Sequence, residues 1–181
     1  MGDSYQIKDQ SGLYFLTFQV VGWVDIFTRQ IYRDIIIDSL HHCRNHKALE
    51  IYAYVIMTNH VHVIMRSKVA KLSDAVRDFK RYTSVKIMNE ISNNIRESRK
   101  GWMKVVFEYY ARFNSKSGKR QFWTHENHAV GLTDNDMIDS RLNYIHDNPV
   151  RAGWVEKAED YLYSSARNYC EMPGKLEIDF I

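Results

Sequence analysis

The chain has 181 residues, of which 45% are hydrophobic and 26% charged, with eight glycines and only two prolines. This is ordinary globular composition at a length that predicts one domain, residues 1–181 with a core over about 13–169, and it excludes a collagen-like or low-complexity chain. No run approaches the ~18 apolar residues that span a bilayer, and MGDSYQIKDQSG lacks the charged-then-apolar layout of a secretory signal, so a cytoplasmic protein with no membrane partner is expected. Cys43 and Cys170 are too few for a disulfide framework.

The formal net charge of +3 hides an uneven distribution. Residues 1–65 carry 5 Lys/Arg against 6 Asp/Glu, residues 66–120 carry 15 against 5, and residues 121–181 carry 5 against 11. A polyanion would meet the middle third first, because clustered cations release condensed counterions from phosphates. A solvated helix face would give the same count.

In chain order, Leu13–Trp23 is β-branched and aromatic and reads as a strand. Thr28 can cap a helix that closes near Lys47. Glu50–Met57 and His60–Arg66 read as two strands parted by Thr58 and Asn59, a hairpin. Leu72, Val76, Phe79, Thr83 and Ile87 recur at helical spacing, so 72–95 is predicted as an amphipathic helix bearing Arg77, Lys80, Arg81 and Lys86 on its other sides. Trp102–Arg112 can continue as helix, and Asn114–Arg120 has loop composition. Gln121–Leu132 reads as a fourth strand with its approach. Thr133 or Asp134 caps a last major helix, expected to end near Asn148 because Pro149 disfavours α conformation in the residue before it. A short aromatic-rich helix over 161–169 closes the core. The order β-α-β-β-α-β-α predicts an α+β, ferredoxin-like (split βαβ) fold, a four-stranded antiparallel sheet with helices on one face.

Two features carry chemistry. His60 and His62 lie two apart on a strand, so both imidazoles project from one face, the way a strand offers two ligands to a divalent metal; a half-exposed sheet face that happens to carry two histidines is the plain alternative. Imidazoles suit Mn and Zn better than Mg, whereas oxygen ligands and phosphates suit Mg. A site of two imidazoles, an amide oxygen and a phosphate could therefore take Mg²⁺ or Mn²⁺. Tyr144 and Asn148, four apart near a helix end, share a face and could converge on one phosphate; a core tyrosine and a C-terminal cap would look the same.

The segments NHVHV, FKRYTS, QFWTHENH, LNYIHDNPVRAGWV and YLYSSARNY, in this order, resemble the REP-associated tyrosine transposases of the single-tyrosine HUH superfamily. The resemblance runs from about Leu13 to Tyr169. It implies His60 and His62 as the metal-binding pair, Tyr144 as nucleophile and Asn148 as third ligand to Mg²⁺ or Mn²⁺. The implied activity is metal-dependent cleavage and rejoining of single-stranded or hairpin DNA through a 5′-phosphotyrosine link, by a monomer or homodimer associated with the nucleoid. Thr58 stands where the family has proline before the pair, and Ala129 replaces the proline that follows Asn127 and His128. Arg77, Lys80, Arg81 and Lys86 are expected to hold phosphates, with Tyr109, Tyr110 or Trp123 available to stack bases. The alternatives are a non-catalytic ferredoxin-like nucleic-acid-binding module and a phosphodiesterase that uses water, with Tyr144 only positioning the substrate. His41, His42 and His46 suit a solvated helix end.

Overall fold

The computed structural model describes residues 6–113 and 118–181. Strand β1 (Tyr14–Gln19) leads through short 3-10 turns at Val21–Trp23 and Ile26–Thr28 into helix α1 (Gln30–His46). Strands β2 (Leu49–Ile56) and β3 (His60–Ser67) form the expected hairpin. Helices α2 (Leu72–Asn93) and α3 (Lys100–Ala111) follow, then β4 (Val130–Gly131), α4 (Asn135–Arg151) and α5 (Ala166–Tyr169). The sheet order is β2-β3-β1-β4 with antiparallel neighbours throughout, the ferredoxin-like α+β arrangement that the sequence predicts.

Alternation along β1 and β3 divides the sheet into two faces. Leu16 pairs with Val63 and Phe18 with Val61 on one face; Thr17 pairs with His62 and Gln19 with His60 on the other. On the first face α1 and α2 bury Ile36, Leu40, Val76 and Phe79. On the second, Leu142, Tyr144 and Ile145 of α4 pack against Phe15, Val55 and Ile64. The expectation of helices on one face thus holds for α1 and α2, whereas α4 covers the other. Its stripe of Ile138, Leu142 and Ile145 needs apolar surface, and the first face is already filled.

Further boundaries differ from the sequence reading: the strand expected over Leu13–Trp23 is confined to Tyr14–Gln19 and gives way to a 3-10 turn at Val21–Trp23, and Arg29 rather than Thr28 takes the N-cap position of α1. The fourth strand expected over 121–132 shrinks to Val130–Gly131 and an isolated bridge from Trp123 to Val20. Its backbone still bonds to β1, through Thr124 N to Gln19 O at 2.8 Å and Thr17 N to Asn127 O at 2.8 Å, but a left-handed residue, His128 at φ 41°, breaks the register. Helix α4 runs through Pro149 to Arg151 rather than stopping at Asn148. So late in the helix the ring removes a single donor, and Ala152 N still reaches Asn148 O at 3.0 Å. Of the helix expected over 161–169 only Ala166–Tyr169 is helical. The residues before it run along the β2 edge, with Ile56 N to Tyr163 O and Ser165 N to Tyr54 O both at 2.9 Å. The loop expected over 114–120 lies partly outside the described residues.

The chain also packs beyond the core limit expected near Tyr169. Leu176 and Ile178 join the core, and Asp179 N donates to Ile51 O at 2.8 Å, so the last segment covers the β2 edge.

This edge fastens α4 to the sheet. His146, on the side of α4 away from the tyrosine, meets Ser165 Oγ through Nε2 at 2.9 Å, and the same hydroxyl oxygen accepts from Tyr54 N at 3.0 Å. Ser165→Ala should therefore leave a buried N–H and the imidazole without that partner and lower stability by about 1–3 kcal/mol in urea unfolding. A midpoint equal to wild type would contradict this linkage.

Candidate active site

The hairpin and β1 bring the two histidines together under α4. Their ring centroids lie 4.6 Å apart. His60 Nδ1 meets Asn59 Oδ1 at 2.6 Å and must donate to it, which leaves the lone pair on Nε2. His62 Nδ1 is held by Thr17 Oγ1 at 2.8 Å, while its Nε2 is buried with no hydrogen-bond partner. Each ring is therefore held through Nδ1, and with the proton on Nδ1 its Nε2 keeps a lone pair for a ligand, as outer hydrogen bonds arrange for metal-binding imidazoles.

Burial keeps both rings neutral. It pushes the His62 imidazole down to about 3, with the charges of His60 and Arg141 adding to the effect, and the His60 imidazole down to about 4. Neutral imidazole is the form that donates a lone pair to a cation. Among the described residues no group of three or more His, Cys, Asp and Glu side chains gathers to hold a metal ion. Oxygen ligands to complete a divalent site would have to come from an amide such as Asn148, from water or from a phosphate. The two imidazoles and one amide fit that mixed set.

Tyr144 reaches the same place from α4. Its ring centroid lies 5.3 Å from that of His62 and 6.0 Å from that of Phe15, edge-on to both, and it is half-buried. Asn148 follows one turn later, about 6 Å along the axis, and its Nδ2 donates to Tyr144 O at 3.3 Å. Two cations that chain-wide charge counting misses stand on the same stripe. The Arg141 guanidinium lies 5.1 Å from the Phe15 ring and that of Arg151 lies 5.7 Å from the Tyr144 ring. Positions 141, 144, 148 and 151 step by three, four and three, so the helical period alone could have revealed them. The continuation of α4 through Pro149 is what keeps Arg151 in register.

The basic residues expected to hold phosphates are not at this site. Arg77, Lys80, Arg81 and Lys86 all lie on α2, which packs on the opposite face of the sheet. Arg77 is paired with Asp74 at 2.6 Å and Asp78 at 3.3 Å. Lys80 points inward and donates to Thr124 O at 2.8 Å, His125 O at 3.3 Å and Asn127 Oδ1 at 2.7 Å. Burial lowers its ammonium to about 8, so it anchors the 124–127 segment rather than offering a free charge. Arg81 is exposed, and Lys86 donates to Tyr82 Oη at 3.3 Å. Of the aromatics considered for stacking, Trp123 is buried and its Nε1 donates to Thr83 Oγ1 at 3.0 Å, while Tyr109 and Tyr110 are exposed. His41, His42 and His46 are exposed at the end of α1. No helix among the described residues is long and apolar enough to cross a membrane.

Comparison with known proteins agrees with this architecture. Residues 24–108 match the family model described as Transposase IS200 like. A Haemophilus influenzae protein whose name assigns it to the REP-associated tyrosine transposases is 25% identical over 156 residues, 86% of this chain and 80% of its own. A solved structure of a REP-associated tyrosine transposase bound to a REP hairpin superimposes with a TM-score of 0.60 at 16% identity, over 99% of this chain and 92% of that one. The chain is thus similar to the IS200-like transposases over residues 24–108, and the resemblance to the REP-associated tyrosine transposases read from the sequence is borne out.

The depressed imidazoles set a pH dependence. His60 and His62, with His146 lowered by burial to about 4, stay neutral in the folded chain well below the ordinary value of 6.5 at which the unfolded chain takes up protons. Stability is thus fully present above pH 6.5 and falls between 6.5 and about 4, by on the order of 1 kcal/mol or more for each imidazole. Urea midpoints at about pH 7.5 and pH 5 without added metal check this; equal midpoints would contradict the neutral, buried assignment.

Proposed function

We propose that the protein cuts and rejoins single-stranded DNA with Tyr144 as nucleophile, on an unpaired stretch beside a hairpin. The observation that supports this most directly is the Tyr144 ring 5.3 Å from an imidazole whose buried Nε2 has no partner. Mg²⁺ or Mn²⁺ held by His60, His62 and Asn148 would supply polarisation of a bound phosphate and neutralise charge that develops on its oxygens. The phenol, an ordinary weak nucleophile near neutral pH, gains from being held against that phosphate. Its oxygen bonds to phosphorus as the bond to the 3′-oxygen breaks, leaving a 5′-phosphotyrosine link and a 3′-hydroxyl. A later attack by a 3′-hydroxyl reverses the step. The covalent link conserves the phosphodiester energy, so no nucleotide cofactor is required.

Arg141 and Arg151 flank the phenol on its own helix and would bind the non-bridging phosphate oxygens. Because the phenol and imidazoles of one chain already meet, the site would be complete in a monomer. The α4 clasp on β2 fits this, since it holds the tyrosine helix over its own sheet.

A labelled single strand incubated with Mn²⁺ should give a covalent adduct on denaturing gels that Tyr144→Phe abolishes and Arg151→Ala slows about tenfold or more. Cleavage that survives Tyr144→Phe would instead assign the attack to water, and binding without cleavage by the wild type would leave a non-catalytic module.

A further inference from the structure

Helix α3 is apolar on two sides. Met103, Phe107 and Ala111 are buried, whereas Trp102, Val105, Tyr109 and Phe113, which step by three and four along the opposite side, are 51, 65, 51 and 73% exposed. Exposed aromatics in one stripe are costly to leave in water, which makes a binding surface of them. Their charge setting says for what. Residues 96–120 carry eight Lys/Arg and two Asp/Glu. One of those acids, Glu97, is fully buried and paired with Arg29 at 2.9 Å and Arg99 at 3.3 Å, and the other, Glu108, pairs with Lys104 at 3.9 Å and Arg120 at 3.5 Å, so the charge left over in this stretch is positive. An apolar aromatic stripe in a cationic field suits a polyanion that carries flat rings.

The stripe continues toward the candidate site. Trp23, 70% exposed, sits on the turn that follows β1. This turn lies tight against α3, because Gly22 at φ +63° leaves no room for a Cβ, which would meet Tyr110 and Val106 at 3.0 Å. The Tyr109 ring lies 5.5 Å from Tyr110 and 5.1 Å from Phe113. At its other end the same turn joins the sheet where Gln19 pairs with His60 and Val20 N donates to Asn59 O at 2.9 Å. The aromatic surface therefore starts at the end of the sheet that carries His60.

We infer that Trp23 and the outer face of α3 form a stacking platform for the unpaired bases of single-stranded DNA that runs off the sheet past His60. This rests on the single-stranded DNA substrate proposed above and adds where that strand goes. Stacking tolerates any base, so the platform would hold the strand without reading its sequence. A second copy of the chain covering the same face is the competing occupant, and the positive charge on both copies opposes it.

The test uses a labelled oligo-dT of about 12 nucleotides without metal, so that binding is read apart from cleavage. Trp23→Ala and Tyr109→Ala should each weaken binding about tenfold, with unchanged thermal unfolding, and wild-type tryptophan fluorescence should be quenched on binding. Adduct formation by the wild type with Mn²⁺, and its loss in Tyr144→Phe, tests the Tyr144 chemistry separately. Equal affinity of both variants and the wild type would overturn the platform. So would equal affinity with a fall in sedimenting mass, which would give the face to a second copy.

Discussion

A buried imidazole nitrogen with nothing to bond to costs a folded protein about 1–3 kcal/mol, and this chain keeps one, His62 Nε2, beneath α4. The surrounding structure fixes that ring. Thr17 on the neighbouring strand holds the other nitrogen of the ring, Asn59 does the same for His60, and Phe15 stacks on His62 at 5.2 Å. Helix α4 then supplies the cover, and with it a phenol, a carboxamide and two guanidinium groups on one stripe. The two rings are thereby held rigid and neutral beneath the helix.

The cover must be held down, and the last thirty or so residues do that. Tyr161 Oη donates to Ile56 O at 2.8 Å, Tyr163 Oη to Asp34 Oδ1 at 2.7 Å and Tyr169 Oη to Tyr52 O at 3.1 Å. Three phenols thereby tie the chain after α4 to β2 and α1, while His146 ties α4 itself to Ser165. The tyrosine-rich YLYSSARNY segment, one of the strings that carry the family resemblance, thus fastens α4 to the sheet.

Much of this was legible in the sequence because it depends on short-range periodicity. Two residues of spacing on a strand put His60 and His62 on one face, and four on a helix put Tyr144 beside Asn148. The layer in which α4 lies was not legible, because an amphipathic stripe states that it needs an apolar partner but not which face of the sheet remains free. Pro149 misled as a stop signal, since a proline in the final turn removes only one donor. Charge counted along the chain pointed to α2, yet Lys80 is consumed by three oxygens of the 124–127 segment and its helix lies behind the sheet. The cations that do flank the phenol sit in the most acidic third, where only their position around the helix distinguishes them.

The central claim is that one cation is shared by imidazoles from a strand and a helix that carries the nucleophile. Titration of Mn²⁺ into the protein, followed by paramagnetic broadening of assigned aromatic NMR signals, tests it without any DNA. Early and parallel loss of the His60, His62 and Tyr144 ring signals is expected, with those of His42 and His46 on α1, behind the sheet, persisting longest. Uniform broadening across all histidines, or His60 and His62 rings that stay sharp while Mn²⁺ binds elsewhere, would contradict it.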